Sequence, residues 1–335
     1  MNRILQLSNE EREQLFSEAA VKIGATPSIV EKDFWVVWVL DKIFKHDRLN
    51  KILMFKGGTS LSKVFNLIGR FSEDIDLILD WREVTKDDPK EDKESKNKQV
   101  KFNQEINEKA IVYIKDILLP IIENLLQPTC ACKIDEQNPF NINITYPATF
   151  KDGYLRNEIL LEIGPLASWM PFDSFKISAY VVDAFPTLFE QLSCKVNAIL
   201  AKRTFWEKAT ILHQEANRSA QKKLPIRYSR HYYDLAMMAK SAVKDEALND
   251  LKLLQQVVDF KLKFYPATWA KFEEAIPGTL KLLPSQMHIK DLEKDYKAME
   301  NMIFDKKLSF EEILNTLKNL EDEINSLTNE KDADE

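Results

Sequence analysis

The pattern of apolar and polar positions predicts a helical start, a short mixed region and a long helical end. A capping box begins at Ser8, and Thr26 precedes a proline that opens a second helix, so two helices come before the first strand. The apolar run 52–55 ends at a glycine pair, residues 61–67 have helical spacing, and residues 75–79 are rich in β-formers. This order predicts strand, tight turn, helix and strand.

The same patterns predict the elements of the chain after residue 80. Residues 81–104 are dominated by Lys, Asp and Glu without apolar periodicity, which predicts a mobile surface loop. A helix is predicted over 106–126, and residues 142–146 and 158–163 have the composition of strands. After Pro186 the pattern is helical almost to the end.

These elements predict an α+β fold, in which a lobe with a small mixed sheet is followed by a helical C-terminal lobe. The predicted boundary places the N-terminal helices and the sheet in residues 1–185 and the helical domain in residues 186–328. Residues 329–335 are acidic and are expected to form a frayed tail.

Composition excludes several classes of protein. With 335 residues, 44% hydrophobic and 30% charged, the chain can bury a substantial core. The N-terminus lacks the apolar run of a signal peptide and no later stretch is long enough to span a bilayer, so a cytoplasmic protein without membrane association is expected. Three cysteines and four scattered histidines predict neither structural disulfides nor a zinc site.

Charge is unevenly distributed. The net charge is −6, yet residues 195–230 contain nine basic and two acidic residues, a local charge of +7. Such a segment can face phosphates, or it can be a solvated helix face whose lysines serve solubility. Charge alone does not separate these two interpretations.

Glycine is scarce, which makes its placement informative. Of seven glycines, Gly57, Gly58 and Gly69 fall within thirteen residues. Adjacent glycines between a strand and a helix allow the backbone to approach a phosphate closely, and Lys56 and Lys63 can add positive charge. The alternative is a plain strand-to-helix turn, and no P-loop pattern occurs.

Two aspartates on the following strand favour the phosphate-binding interpretation over a plain turn. Asp74 and Asp76 are two positions apart, so their carboxylates project from one face of the strand, where they can bind Mg²⁺ together with substrate phosphates. In a two-metal site, one ion activates the attacking hydroxyl and the other holds the triphosphate. A third acid is then expected: Glu162 lies between apolar neighbours on a later strand, and Glu158 is the alternative on the same face.

The run from Phe55 to Leu77 resembles the AbiEii/AbiGii toxin family, nucleotidyltransferases of the DNA-polymerase-β-like superfamily. That family's Lys-Gly-Gly-Thr-x-Leu-x-Lys and Arg-x-Ser-x-Asp-x-Asp-Leu motifs are both complete here, at residues 56–63 and 70–77. Residues 31–33 are similar to its N-terminal helix, residues 194–203 to its helix with Lys, Ala and Arg, and residues 230–235 to its Arg-Asp-x-Tyr-Asp-Leu motif. In this last motif His231 replaces the first aspartate.

The resemblance makes the first lobe nucleotidyltransferase-like and assigns roles to individual residues. It implies a metal site at Asp74 and Asp76, to which the expected third acid, Glu162 or Glu158, would be added. It also implies a triphosphate site at Gly57, Gly58, Thr59 and Lys63, phosphate support from Arg70 and Ser72, and completion of the catalytic site by Lys195 and Asp234 from the helical lobe.

The implied function is metal-dependent transfer of a nucleoside monophosphate from an NTP to an acceptor, with Mg²⁺ as the metal. The resemblance favours RNA, such as the tRNA 3′ end, as acceptor, and a toxin of a type IV toxin–antitoxin system with a cognate antitoxin. Two alternatives stay open: an enzyme that nucleotidylates a protein hydroxyl, and a non-catalytic nucleotide-binding or antitoxin-docking module. The complete set of acids argues against the second alternative.

Overall fold

A computed structural model describes residues 2–89, 91–151, 157–305 and 307–327. The chain divides into two compact units. Unit 1 consists of residues 1–66 and 71–199, and unit 2 consists of residues 67–70 and 200–335. The short excursion at 67–70 places Arg70 in unit 2, while Ser72, Asp74 and Asp76 belong to unit 1.

Unit 1 combines helices with a single sheet. Its α-helices are α1 (Asn9–Ile23), α2 (Pro27–Lys45), α3 (Leu49–Ile52), α4 (Gly57–Lys63), α5 (Lys96–Tyr113), α6 (Leu119–Leu126) and α7 (Tyr180–Ala184), with a π-helical stretch at Ile114–Leu118 and 3₁₀ turns at Asn2–Gln6, Trp81–Glu83 and Pro186–Leu188. Its strands are β1 (Leu53–Lys56), β2 (Ile75–Leu79), β3 (Ala131–Ile134), β4 (Asn141–Thr145), β5 (Glu158–Gly164), β6 (Phe172–Ile177) and β7 (Cys194–Ile199).

The sheet is mixed and has seven strands in the order β3-β4-β5-β2-β1-β7-β6. At its centre β1 is antiparallel to β2 and parallel to β7, and β2 is parallel to β5. The side chains of one face, including Phe55, Leu77 and Leu161, pack in the main core with α2. On the opposite face Met54, Ile78 and Ile199 form a separate apolar cluster. The predicted α+β fold is confirmed, with a larger sheet than the sequence indicates.

The prediction of helix directly after Pro186 is wrong, because Cys194–Ile199 form strand β7. Buried and more exposed residues alternate from Cys194 to Ala198, and β7 pairs with both β1 and β6. This alternation is short, and the apolar run continues directly into the next helix, so the helical pattern hides it. Because β7 belongs to the sheet, the division between the units lies after Ile199 and not at residue 185.

Helix α5 corrects the predicted loop over residues 81–104. It begins at Lys96, after Ser95, whose side chain accepts a hydrogen bond from the Lys98 backbone. Glu94 pairs with Lys98 one turn apart, in the spacing that supports polar surface helices. Local capping and charge pairing therefore order part of a segment that has little apolar periodicity.

Unit 2 is helical over the residues that the structure describes. Its helices are α8 (Ala201–Ala216), α9 (Ser229–Ala239), α10 (Val243–Leu248), α11 (Leu251–Phe264), α12 (Ile289–Met299) and α13 (Phe310–Asn325). Helix α9 contacts α8, α12 and α13. The predicted tail 329–335 lies outside the described residues. Within the described part of the chain, every helix is too short or too polar to cross a membrane.

Candidate active site

The glycine turn lies directly against the second aspartate of the motif. Gly57 begins α4 immediately after β1 and has a φ of +79°, in the left-handed region. A Cβ atom added at Gly57 would lie 1.8 Å from Asp76 Oδ2. Glycine is therefore required at position 57 for two reasons: the backbone conformation is left-handed, and the Asp76 carboxylate occupies the space that a side chain would fill.

The segment before β2 carries its polar residues on one side. Ser72, Asp74 and Asp76 are half-buried and alternate with buried residues, so the period of two extends beyond the strand itself. On β2, Asp76 is paired with Lys56 of β1 on one side and with Glu162 of β5 on the other. The sheet thus places an acidic pair beside the glycine turn.

The register between β2 and β5 distinguishes the two candidate third acids. Glu162 is the partner of Asp76, and side chains of paired residues share a face, about 4.8 Å apart across neighbouring strands. Glu158 shares the face but lies four residues earlier, about 13 Å along the strand, where its carboxylate accepts a hydrogen bond from Thr145. The structure therefore brings Glu162, and not Glu158, to Asp76.

These residues fit a magnesium ion as a pair of carboxylates. Mg²⁺ is commonly held by one or two carboxylates, with substrate phosphates and water completing its shell. Over the described part of the chain, no three His, Cys, Asp or Glu side chains form a group that could hold a metal ion. The expected set of Asp74, Asp76 and Glu162 is thus present as the adjacent pair Asp76 and Glu162, with Asp74 just before the strand.

Two hydroxyl groups tie the turn together. The buried Thr59 side chain donates a hydrogen bond to the carbonyl oxygen of Asp74, and Ser60 Oγ donates to the Gly57 carbonyl oxygen at 2.8 Å. Thr59 was predicted to contact the triphosphate. In the structure its hydroxyl connects α4 to the segment that carries the aspartates.

Buried charges of α2 support the same region, and the sequence reasoning did not recognise their role. The ammonium group of Lys32 pairs with Glu73, next to Asp74, and both side chains are at least 90% buried. Glu31 accepts hydrogen bonds from the backbone amides of Thr149 and Phe150, at 2.6 and 3.0 Å. The available signal was three consecutive charged residues in a helix whose other residues are mostly apolar.

Lys63, which was predicted to contact phosphate, is also part of this support. Its Nζ atom lies 2.8 Å from Asp33 Oδ1 and 3.7 Å from the centre of the Tyr180 ring. Asp33 also accepts a hydrogen bond of 2.7 Å from the Tyr180 backbone amide. Burial raises the pKa of the Asp33 carboxyl, and Lys63 opposes this rise. With only 5% of its side chain exposed, Lys63 anchors the end of α4 to α2.

Lys195 does not lie near the acidic pair. It is on strand β7, not on the helix that the family resemblance implies, and is exposed opposite Lys176 of β6. The register Phe55 with Ala198 puts Lys195 on the same face as Asp76. It is nevertheless at the other end of the strands, about 13 Å along their direction and two strands across.

Arg70 and Asp234 form a buried ion cluster within unit 2. Arg70 Nε lies 2.7 Å from Asp234 Oδ1, and Arg70 Nη2 lies 2.8 Å from Oδ2, a bidentate geometry. Lys208 Nζ is 2.8 Å from Asp234 Oδ2 and 3.4 Å from His231 Nδ1. Asp234 is completely buried. The cluster joins the segment 67–70 to α8 and α9.

The cluster keeps its aspartate ionised. Burial alone would raise the pKa of the Asp234 carboxyl, but Arg70 and Lys208 together hold it below its ordinary value. Burial lowers the pKa of Lys208, against the attraction of Asp234, and burial and the charge of Lys208 keep the pKa of His231 well below its ordinary value. Lys208 is thus the lysine that contacts Asp234. The sequence placed Lys208 in the basic segment 195–230 but did not indicate this contact.

A family model described as the nucleotidyl transferase AbiEii toxin of type IV toxin–antitoxin systems matches residues 38–316. The chain belongs to this family. It is therefore a nucleotidyltransferase. The match extends well beyond residue 235, where the last motif recognised in the sequence ends.

Comparison with solved structures gives weaker likenesses. MenT4, a nucleotidyltransferase toxin from Mycobacterium tuberculosis, is 13% identical, with a TM-score of 0.44, and the match covers 96% of this chain and all of that chain. JHP933 from Helicobacter pylori is 12% identical, with a TM-score of 0.41, covering 88% of this chain and 91% of that chain. These scores are too low to support an argument about the site. No curated protein matches the sequence.

Proposed function

We propose that this nucleotidyltransferase moves a nucleoside monophosphate from an NTP to RNA, with the tRNA 3′ end as acceptor, and that it requires Mg²⁺. The observation that carries the proposal is the register of β2 and β5, which sets Asp76 beside Glu162 under the turn at Gly57. Two adjacent carboxylates next to a closely approachable backbone suit a metal-bound triphosphate. The toxin description of the family supports growth inhibition as the outcome, a cognate antitoxin as partner and the cytoplasm as location.

In this proposal Asp76 and Glu162 hold the metal, and Asp74 completes the acidic group from the segment before β2. A bound Mg²⁺ would neutralise charge on the triphosphate and on the leaving pyrophosphate. The backbone at Gly57 lies against Asp76, so we expect Gly57 and Gly58 to contact the same phosphates as the metal, and Ser72 is on the same side of the extended segment as Asp74 and Asp76. These residues bind and orient the donor.

The buried cations of the motifs have positioning roles in the proposal. Lys63 fixes α4 through Asp33, and within unit 2 Arg70 fixes the segment 67–70 to α9 through Asp234. Both are at least 95% buried as side chains, so their charges act on protein carboxylates. Lys195 has no part in the metal site, because it lies at the opposite end of the strands.

The test measures transfer of label from each of the four NTPs, with Mg²⁺, to total RNA and to a protein extract. Asp76→Asn and Glu162→Gln should abolish transfer. Glu158→Gln is the matched control, since it removes an acid from the same strand and face but away from Asp76, and it should retain activity. Thermal unfolding of each variant verifies that the fold is intact.

Four results would contradict the proposal. Equal activity of the wild type and Asp76→Asn would show that Asp76 is not needed for transfer. Equal loss of activity in Glu158→Gln and Glu162→Gln would contradict the choice of Glu162 from the strand register. Label in protein but not in RNA would replace the proposed acceptor with a protein hydroxyl. If tRNA stays labelled after its 3′-terminal nucleotides are removed, the label is not at the 3′ end, and this acceptor is wrong.

A further inference from the structure

The basic segment 195–230 is less available to phosphates than its charge of +7 indicates. Four of its cations are engaged in ion pairs within unit 2: Lys202 with Asp250 at 2.7 Å, Arg203 with Glu207 at 3.1 Å, Lys208 with Asp234 at 2.8 Å and Arg218 with Glu215 at 2.5 Å. Arg203 and Lys208 are also buried. These charges stabilise the helical unit.

Three cations after Arg218 are placed differently. Residues 217–228 connect α8 to α9, and we call residues 219–228 the basic loop. It contains Lys222, Lys223 and Arg227, all exposed, and no acidic residue. Ile226 is 88% exposed among them. The loop therefore presents concentrated positive charge together with an apolar side chain.

The backbone of the basic loop is held in place at both ends. At its C-terminal end Asp295 of α12 accepts hydrogen bonds from the backbone amides of Arg227 and Ser229, at 2.8 and 2.9 Å, and from Ser229 Oγ at 2.6 Å. Near its N-terminal end His288 Nε2 donates to the Lys222 carbonyl oxygen at 3.1 Å. An exposed loop held by such contacts loses less conformational entropy on binding than a free one.

Arg227 adds evidence that the loop conformation is imposed. Its φ is +64°, in the left-handed region, where a residue with a side chain is disfavoured by about 1–2 kcal/mol. Because Asp295 bonds the Arg227 amide, the same aspartate holds both the strained backbone and the start of α9. A loop that only kept lysines in solvent would not require this conformation.

We propose that the basic loop binds the phosphate backbone of the acceptor RNA. The inference rests on the proposed function, since it assumes that RNA is the acceptor. Lysine and arginine neutralise phosphates and release bound counterions, which provides sequence-independent affinity, and Ile226 can pack against a ribose or a base. The loop therefore serves to hold RNA, and the acids of unit 1 serve the chemistry.

The first test removes charge. Binding of unmodified tRNA is measured without NTP over a series of NaCl concentrations, for the wild type and for Lys222→Gln/Lys223→Gln. Two lost phosphate contacts should lower the salt slope by about 1.4–1.8 and weaken binding about tenfold at moderate salt. The control is Lys240→Gln/Lys252→Gln, which removes two exposed lysines elsewhere in unit 2 and should bind like the wild type.

The second test removes the support of the loop. Asp295→Ala deletes a negative charge, so electrostatics alone predicts tighter RNA binding. If the loop must be held in its conformation, the same variant binds RNA several-fold more weakly, with little change in the salt slope. Asp295→Asn keeps an acceptor oxygen for the Arg227 amide and should restore most of the affinity.

The outcomes separate this inference from the proposed function. Unchanged tRNA affinity in Lys222→Gln/Lys223→Gln, or an equal loss in the Lys240→Gln/Lys252→Gln control, overturns the role of the basic loop even if the wild type labels RNA. Tighter binding by Asp295→Ala overturns the claim that Asp295 must hold the loop in its conformation for RNA binding. If the wild type labels only protein while the loop variants lose tRNA binding, the acceptor is wrong and the loop remains an RNA-binding surface.

Discussion

Replacing Gly57 by alanine should abolish nucleotide transfer while leaving most of the fold intact. The new Cβ would lie 1.8 Å from Asp76 Oδ2, 2.5 Å from its Cγ and 2.9 Å from its Cβ. Ordinary van der Waals contact begins at 3.4 Å, so the carboxylate oxygen must withdraw by about 1.6 Å. Because displacement of a catalytic group by about 1 Å can cost roughly 100-fold in rate, we expect at least that loss in kcat/KM.

The effect on stability can be separated from the clash. An alanine in the left-handed region costs about 1–2 kcal/mol, which lowers the melting temperature by a few degrees. Gly278 has a φ of +93° and no atom within 4 Å of an added Cβ. Gly278→Ala therefore carries a similar backbone strain without a clash, and it is the matched control for Gly57→Ala.

The assay combines transfer of labelled nucleotide to total RNA at saturating NTP with thermal unfolding of each variant. We expect lowered melting temperatures for both variants and loss of activity only for Gly57→Ala. The reasoning would be refuted if Gly57→Ala kept more than about a tenth of wild-type activity, a loss far below that expected from the displacement. It would also fail if Gly278→Ala lost as much activity.

Two further predictions concern the buried charges. Lys32→Met should lower the free energy of unfolding in urea by about 3–5 kcal/mol, because it leaves Glu73 buried without this ammonium group. The control Lys98→Met breaks an exposed ion pair and should lower it by less than about 0.5 kcal/mol, so equal losses would contradict the argument. Asp234 has a pKa below the ordinary 3.8, so its ionised form contributes stability above about pH 4, and this contribution is lost as pH falls through the folded pKa. Between pH 5 and pH 2 Asp234→Asn should therefore lose less stability than the wild type, and an equal loss would show that the carboxyl does not contribute.

The central strands could be predicted because their signal is local. The run of β-formers at residues 75–79 forms β2 as expected, and strands β4 and β5 lie within one residue of the predicted runs. The sequence also indicates that Glu158 and Glu162 share a face, since they are four positions apart on one strand. It does not indicate which of them meets Asp76, because the register is set by pairing between strands far apart in the chain.

Strand β7 could not be predicted for a related reason. Its pairing with β1 joins Phe55 to Ala198, and this distant partner decides its conformation. The following apolar residues have helical spacing and belong to α8, so the local pattern favours a helix over the whole stretch. The expected helix at Lys195 and the expected boundary at residue 185 share this cause.

The burial of charge explains why motif cations are poor guides to a binding site. Lys63 and Arg70 occupy motif positions that suggest phosphate contacts, yet each is at least 95% buried as a side chain against an acid, 30 and 164 residues away in sequence. A buried cation without a carboxylate would be too costly to desolvate, so these pairs are fixed by the fold before any ligand arrives. Glu162 is exposed and Asp76 half-buried, which leaves them able to reach a ligand from solvent. We therefore expect the chemistry at the acids that the sheet brings to one face, with Lys63 holding α4 beside them within unit 1.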